Sequence, residues 1–239
     1  MTAVAPATAS GTGRVLKVVR MQLMNRMTFV WVPLLILGAT FVMSILIWSM
    51  IPSAGPKYSG AGQALMWYLV ALGVQSLTLT FPFSQAMSVT RREFFLGTAA
   101  TAALSSALLA ALFTAGGAVE LATHGWGLNG RMFYVDWMWA AGPAGAALAV
   151  FALAMLMFSG GFWGATAYKR FGAIGLTAIL SGIGLLLIGA LWLIGRLDAW
   201  AVVFGGLARL GIVTVSLGVI AVVIVLAVTA FAMLRRLVP

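Results

Sequence analysis

Six stretches of this chain, each at least 25 residues long, carry no Lys, Arg, Asp or Glu: 27–56, 58–90, 94–119, 137–168, 171–195 and 210–234. A helix needs roughly 20 apolar residues to cross the ~30 Å hydrocarbon core of a bilayer, and every stretch is long enough. Lipid offers no partner to a free backbone N–H or C=O, so a crossing segment must close its own hydrogen bonds or join a closed barrel. Barrel strands would alternate polar and apolar residues over about ten positions. These runs are continuous and rich in Ala, Leu and Gly, which selects helices. Only 8% of residues are charged, against about 25% in an ordinary soluble domain. The expected fold is all-α: a polytopic membrane protein with six transmembrane helices near 28–51, 63–87, 95–119, 143–168, 172–195 and 210–234.

The basic residues orient it. With the N-terminus in the cytoplasm, the inner side holds Arg14, Lys17, Arg20, Arg26, Arg91, Arg92, Lys169, Arg170, Arg235 and Arg236. The outer side holds Lys57, Arg131, Arg196 and Arg209, and the positive-inside rule then puts both termini in the cytoplasm. The net charge of +10 therefore reads as topology and contact with anionic lipid, not as a nucleic-acid surface.

Outside the spans little remains. Residues 1–13 are small, polar and uncharged, and read as a disordered tail followed by a transmembrane domain over 14–239. In 14–26, Arg14, Lys17 and Arg20 share one sector of a helical wheel, while Val15, Leu16, Val19 and Leu23 take the opposite one. That is an interfacial helix on the inner leaflet, serving as an anchor or also as support for a cytoplasmic partner. The loop 120–136 holds the one histidine, His124, and aromatics that continue into Trp137 and Trp139, an interfacial belt. Residues 199–208 are apolar but too short to cross, so they form either a re-entrant helix before the last span or a helix on the outer leaflet.

Several chemistries lack their residues. No cysteine is present, so disulfides, thiolate nucleophiles and Cys-ligated metals are out, and one histidine leaves no usual zinc site. No G-x-x-x-x-G-K-[ST] loop occurs, so the chain is not expected to hydrolyse ATP by itself. A serine hydrolase would need Ser159 beside a base, yet His124 belongs to the outer loop. Ion-driven carriers keep ionisable groups at mid-membrane depth. Here only Glu120, at the outer end of the third span, comes near.

The most specific local pattern joins the second and third spans: F-P-F-S-Q-A-M-S-V-T-R-R-E-F-F-L-G-T over 81–98. A proline-bent helix end, a short S-V-T-R-R-E turn and an aromatic-aromatic-Leu-Gly helix start resemble small six-span ABC transporter permeases of the type-2 exporter class, in particular the actinobacterial members. The likeness extends over the whole chain and implies the cytoplasmic membrane of a bacterium. The resemblance implies a permease subunit forming half of a translocation pathway with a second copy, as a homodimer or closely related heterodimer. It also implies two copies of a separate ABC-type ATPase that bind ATP and Mg, with no cofactor in this chain. In that family the loop between the second and third spans couples to the ATPase, which carries over to Thr90, Arg91, Arg92, Glu93 and Phe94. From the residues alone, the two arginines serve equally as topology charges that snorkel to the interface.

In the second span Tyr68, Gln75, Thr78, Pro82 and Gln85 line one side of a helix. Such a stripe avoids lipid, so it either bonds to neighbouring helices or lines a substrate path. The resemblance favours the path, joined by Thr177 and Ser181 of the fifth span, whose glycines (Gly172, Gly175, Gly182, Gly184, Gly189) permit close helix approach. An uncharged amphipathic lining suits a hydrophobic or amphiphilic cargo. A membrane scaffold or assembly partner that transports nothing is the alternative.

Overall fold

The computed structural model describes residues 11–52 and 55–236. Of the expected tail, residues 1–10 lie outside that description, and Gly11 already belongs to helix α1 (Gly11–Leu23). That helix ends at Leu23, three residues short of the expected 26, and the Asn25 side chain then accepts from the Thr28 amide at 3.2 Å. In chain order follow α2 (Met27–Met50), α3 (Gln63–Ala86), α4 (Arg91–Ala122), the single turn α5 (Asp136–Trp139), α6 (Gly142–Arg196), α7 (Trp200–Arg209) and α8 (Ile212–Leu234). Five of these, α2, α3, α4, α6 and α8, are long and apolar enough to cross a membrane. A two-residue parallel ladder, β1 (Lys57–Tyr58) on β2 (Gly130–Arg131), ties the outer loops together.

The 55 residues of α6 would run about 80 Å at 1.5 Å per residue. They do not run straight, because Gly172 takes φ 71° and ψ −176°. Only glycine adopts that region without strain, so the backbone turns there. The sequence suggested that the helix ends near Tyr168, ahead of Lys169 and Arg170, but it continues through both. The two cations do not stop the helix; the positive φ does.

The first half of α6, 142–171, is the centre of the core. It packs against α3, α4 and α8, while α1 lies across the start of α4. Phe94, Phe158, Leu77 and Leu234 are buried at its middle and inner end. Two glycines decide how near α3 comes. A Cβ on Gly73 would sit 2.1 Å from the Phe158 carbonyl, and one on Gly161 would sit 2.1 Å from the Val70 carbonyl. The two backbones touch reciprocally, in the small-residue packing that lipid favours. Within this one chain the glycines singled out on the fifth span make no such contact: Gly172, Gly182, Gly184 and Gly189 have nothing within 4 Å, and no residue from 173 to 196 is buried.

Helix α1 divides its surface three ways. Val18 and Gln22 are buried against α4, where a Cβ on Gly97 would press on Val18 at 2.5 Å. Arg14, Lys17 and Arg20 are exposed, and so is Leu16. Leu16 belongs to the apolar sector expected to face the leaflet and is exposed, while Val18, outside that sector, makes the contact with α4.

Candidate functional site

The turn from Met87 to Thr90 joins α3 to α4. Ser88 sits at φ 57°, and the Val89 amide donates back to the Ser84 carbonyl at 3.1 Å. Thr90 then caps α4 reciprocally: its hydroxyl accepts from the Glu93 amide at 3.3 Å, and the Glu93 carboxylate accepts from the Thr90 amide at 3.0 Å. This T-R-R-E capping box satisfies two amides that a helix start would leave unpaired. Glu93 also faces Arg14 of α1 at 3.7 Å. Arg91 reaches the end of α8, donating to the Arg235 carbonyl at 2.8 Å and to the Leu234 carbonyl at 3.4 Å. Carbonyls at a helix end lack the next turn's amides, and a cation suits the negative end of the helix dipole. Three segments are thus fastened at one corner of the bundle, the inner one on the expected topology.

The five residues singled out there divide by task. Phe94 is fully buried, edge-on to Phe81 at 5.1 Å, and faces the core. Thr90 and Glu93 are occupied by the cap, and Arg91 by α8. Arg92 is exposed and makes no hydrogen bond among the described residues. With Arg91, Phe231 and Arg235 it borders an open cavity of about 710 Å³, whose three guanidinium groups favour an acidic neighbour.

The polar stripe of α3 is similarly resolved. Two prolines each remove one backbone N–H, and at each the helix widens into a π-turn, Met27–Trp31 before Pro33 and Ser76–Thr80 before Pro82. In the i→i+5 pattern of such a turn, the amide due to the Thr28 carbonyl belongs to position 33, and that due to the Leu77 carbonyl to position 82. Both positions are proline. Each orphaned carbonyl instead takes a side chain from elsewhere. The Tyr68 hydroxyl donates to Thr28 at 2.8 Å, and the Lys169 ammonium lies 3.4 Å from Leu77. Tyr68 is committed to this bond, and Lys169 does more than set topology.

Of the other path candidates, Thr78 bonds back to the Val74 carbonyl at 3.0 Å and Gln85 donates to the Val89 carbonyl at 3.2 Å. Thr177 and Ser181 lie exposed on the second half of α6. Gln75 borders a cavity, with residues of α1 and the start of α2. Within one chain the structure does not gather these six side chains around a common space.

At the far end of α4 stands Glu120, which the sequence marked by its place at the end of the third span but not by its role. It is 2% exposed and accepts four hydrogen bonds: from the Trp126 indole at 3.0 Å and from the amides of Met132, Phe133 and Tyr134 at 2.8, 2.9 and 2.7 Å. Three of the four donors are backbone groups, which leave no mark in a sequence. Beside this knot, Asp136 accepts from the Tyr58 hydroxyl at 2.8 Å and from Arg131 at 2.7 Å. Those two bonds, the tyrosine's first, hold its carboxyl below the usual carboxylate range.

Among the described residues no three His, Asp or Glu side chains gather where an ion could sit. Comparisons with family models, with curated proteins and with solved structures gave no match.

Proposed function

We propose that this chain is the permease subunit of an ATP-driven ABC exporter in the cytoplasmic membrane of a bacterium. On this reading six helices cross the bilayer, α6 contributing two that meet at Gly172 beside Lys169 and Arg170, and both termini lie inside. Helix α1 rests on the inner leaflet, and α7 lies at the outer side. Two such subunits, identical or closely related, form the path, and two separate ATPase subunits supply the force.

The inner corner is the observation that carries this reading. A partner that pushed on the turn before α4 would move α1 through Arg14–Glu93 and α8 through Arg91 at the same time. A coupling element needs such mechanical connection, and a pair of topology charges does not. Of the two acidic side chains on α4, Glu93 is held in the cap at its start and Glu120 holds a loop at its end, so neither is free to bind a driving ion at mid-membrane depth. The cargo fits a hydrophobic or amphiphilic class, because the polar groups of α3 are uncharged.

The structure also sharpens the experiment. Reversing Arg91 would damage the end of α8 whatever its role, whereas Arg92 has no internal bond to lose. Arg92→Glu should release the ATPase during co-purification while the permease keeps its thermal stability. Retention of the ATPase at wild-type yield would remove the assignment.

A further inference from the structure

Between the end of α1, the start of α2 and the inner half of α3 lies a cavity of about 410 Å³, within the range of small-molecule sites. Its most unusual wall residue is Gln22, 4% exposed. The Gln22 amide donates to the Thr98 hydroxyl at 2.9 Å, and its Oε1 has no partner among the described residues. Turning the amide over would exchange which end is unpaired without pairing both. A buried amide with an idle end is unfavourable, and the imbalance disappears when a ligand supplies the missing bond.

The rest of the wall says what kind of ligand. Gln75 and Thr80 add uncharged polar groups on the α3 side. Met24, Leu79 and Phe83 form the mouth and are 74%, 69% and 58% exposed. No charged side chain borders the cavity, although Arg20 and Arg26, both exposed, flank Gln22 in the chain and mark the membrane boundary. Water would satisfy the amide but would also wet the apolar mouth, where it lacks partners. A molecule with a polar head and an apolar tail satisfies both walls.

We infer that this cavity is a binding site, opening toward the bilayer, for an amphiphile with an uncharged hydroxyl- or amide-bearing head and a slim apolar tail. The head bonds the Gln75 amide and also Gln22, whose sealed free end turns into the cavity to meet it, and the tail leaves past Leu79 and Phe83. An ionised head is disfavoured, because the pocket offers no counter-charge where burial would demand one. The inference rests on this cavity and not on the exporter reading, so it is tested by binding alone.

The test uses the full chain in vesicles of phosphatidylethanolamine and phosphatidylglycerol, with a photoactivatable monoacylglycerol and mass-spectrometric mapping of the adducts. Adducts should concentrate on α1 and the inner half of α3, with excess monoolein competing and oleate competing at least tenfold less well. Gln22→Leu should weaken labelling at least tenfold. Because that change also removes the bond to Thr98, Leu79→Trp serves as the second variant: it fills the mouth from an exposed position and should abolish labelling at unchanged thermal stability. Neutral lipid retained through purification would identify a resident lipid; a site that arrives empty and takes up the probe would identify a ligand that exchanges. Labelling spread evenly over exposed positions such as Leu185 and Leu186, or undiminished in Leu79→Trp, would overturn the inference.

Discussion

Replacing Glu120 by Gln keeps the shape of the side chain and turns one acceptor oxygen into a donor. In the native arrangement Oε1 serves Met132 and the Trp126 indole, and Oε2 serves Phe133 and Tyr134. Whichever way the amide turns, two N–H groups lose their acceptor and face another donor. Leaving a buried donor unsatisfied costs about 1–3 kcal/mol each, so the pair amounts to about 2–6 kcal/mol if the loop stays closed. The loop has a cheaper course, which is to open locally. Hydrogen exchange reads that directly: protection of the 132–134 amides should fall at least about 30-fold, the equivalent of 2 kcal/mol, while the inner half of α4 is unaffected. Trp126 fluorescence should shift toward that of a solvated indole. Protection within threefold of wild type would show that the carboxylate does not hold the loop, and the account of the outer face would fail.

Three further outcomes are expected. If Lys169 serves the carbonyl that Pro82 leaves open, Lys169→Met should cost about 0.5–1.5 kcal/mol in the wild type and markedly less in a Pro82→Ala background, read as thermal shifts in detergent; additive effects would contradict the pairing. Gly161→Val should separate α3 from α6 and lower the folded yield sharply, whereas Gly184→Val, with nothing within 4 Å, should be tolerated; equal yields would refute the reciprocal contact. Asp136 has a lowered folded-state pKa, so its contribution is complete above the ordinary carboxylate range and is lost as pH falls through the folded value. Exchange at the 57–58 and 130–136 amides should therefore quicken on acidification, after correction for intrinsic rates, and Asp136→Asn should remove that dependence.

The membrane-crossing helices were legible because charge is excluded from lipid over long runs, a signal that survives any detail of packing. Their limits were less so. The turn expected at Lys169 and Arg170 was placed by charge, while the chain turns at Gly172, where the backbone needs a positive φ. The T-R-R-E cap was written in the sequence and can be found by its spacing alone. Tyr68 and Lys169 illustrate the opposite case. Each proline announces an unpaired carbonyl, but the side chain that answers comes from 40 or 92 residues away. A polar residue in a span therefore reads as a path-lining group until its partner is known. Gly73 and Gly161 pose the same difficulty, since neither marks its counterpart. Glu120 stood out by position but its role could not be read, because its donors are mostly main-chain groups ordered by the loop it orders.

The absence of cysteine allows the central claim to be tested at a single introduced thiol. Ser88→Cys lies exposed on the turn before α4, at a positive φ that a non-glycine residue already occupies. Carrying a photo-crosslinker in intact cells, it should yield one dominant adduct, and mass spectrometry should identify a nucleotide-hydrolysing ABC subunit. A turn that is modified instead by membrane-impermeant reagents from outside the cell, or that never captures such a subunit, would contradict the account.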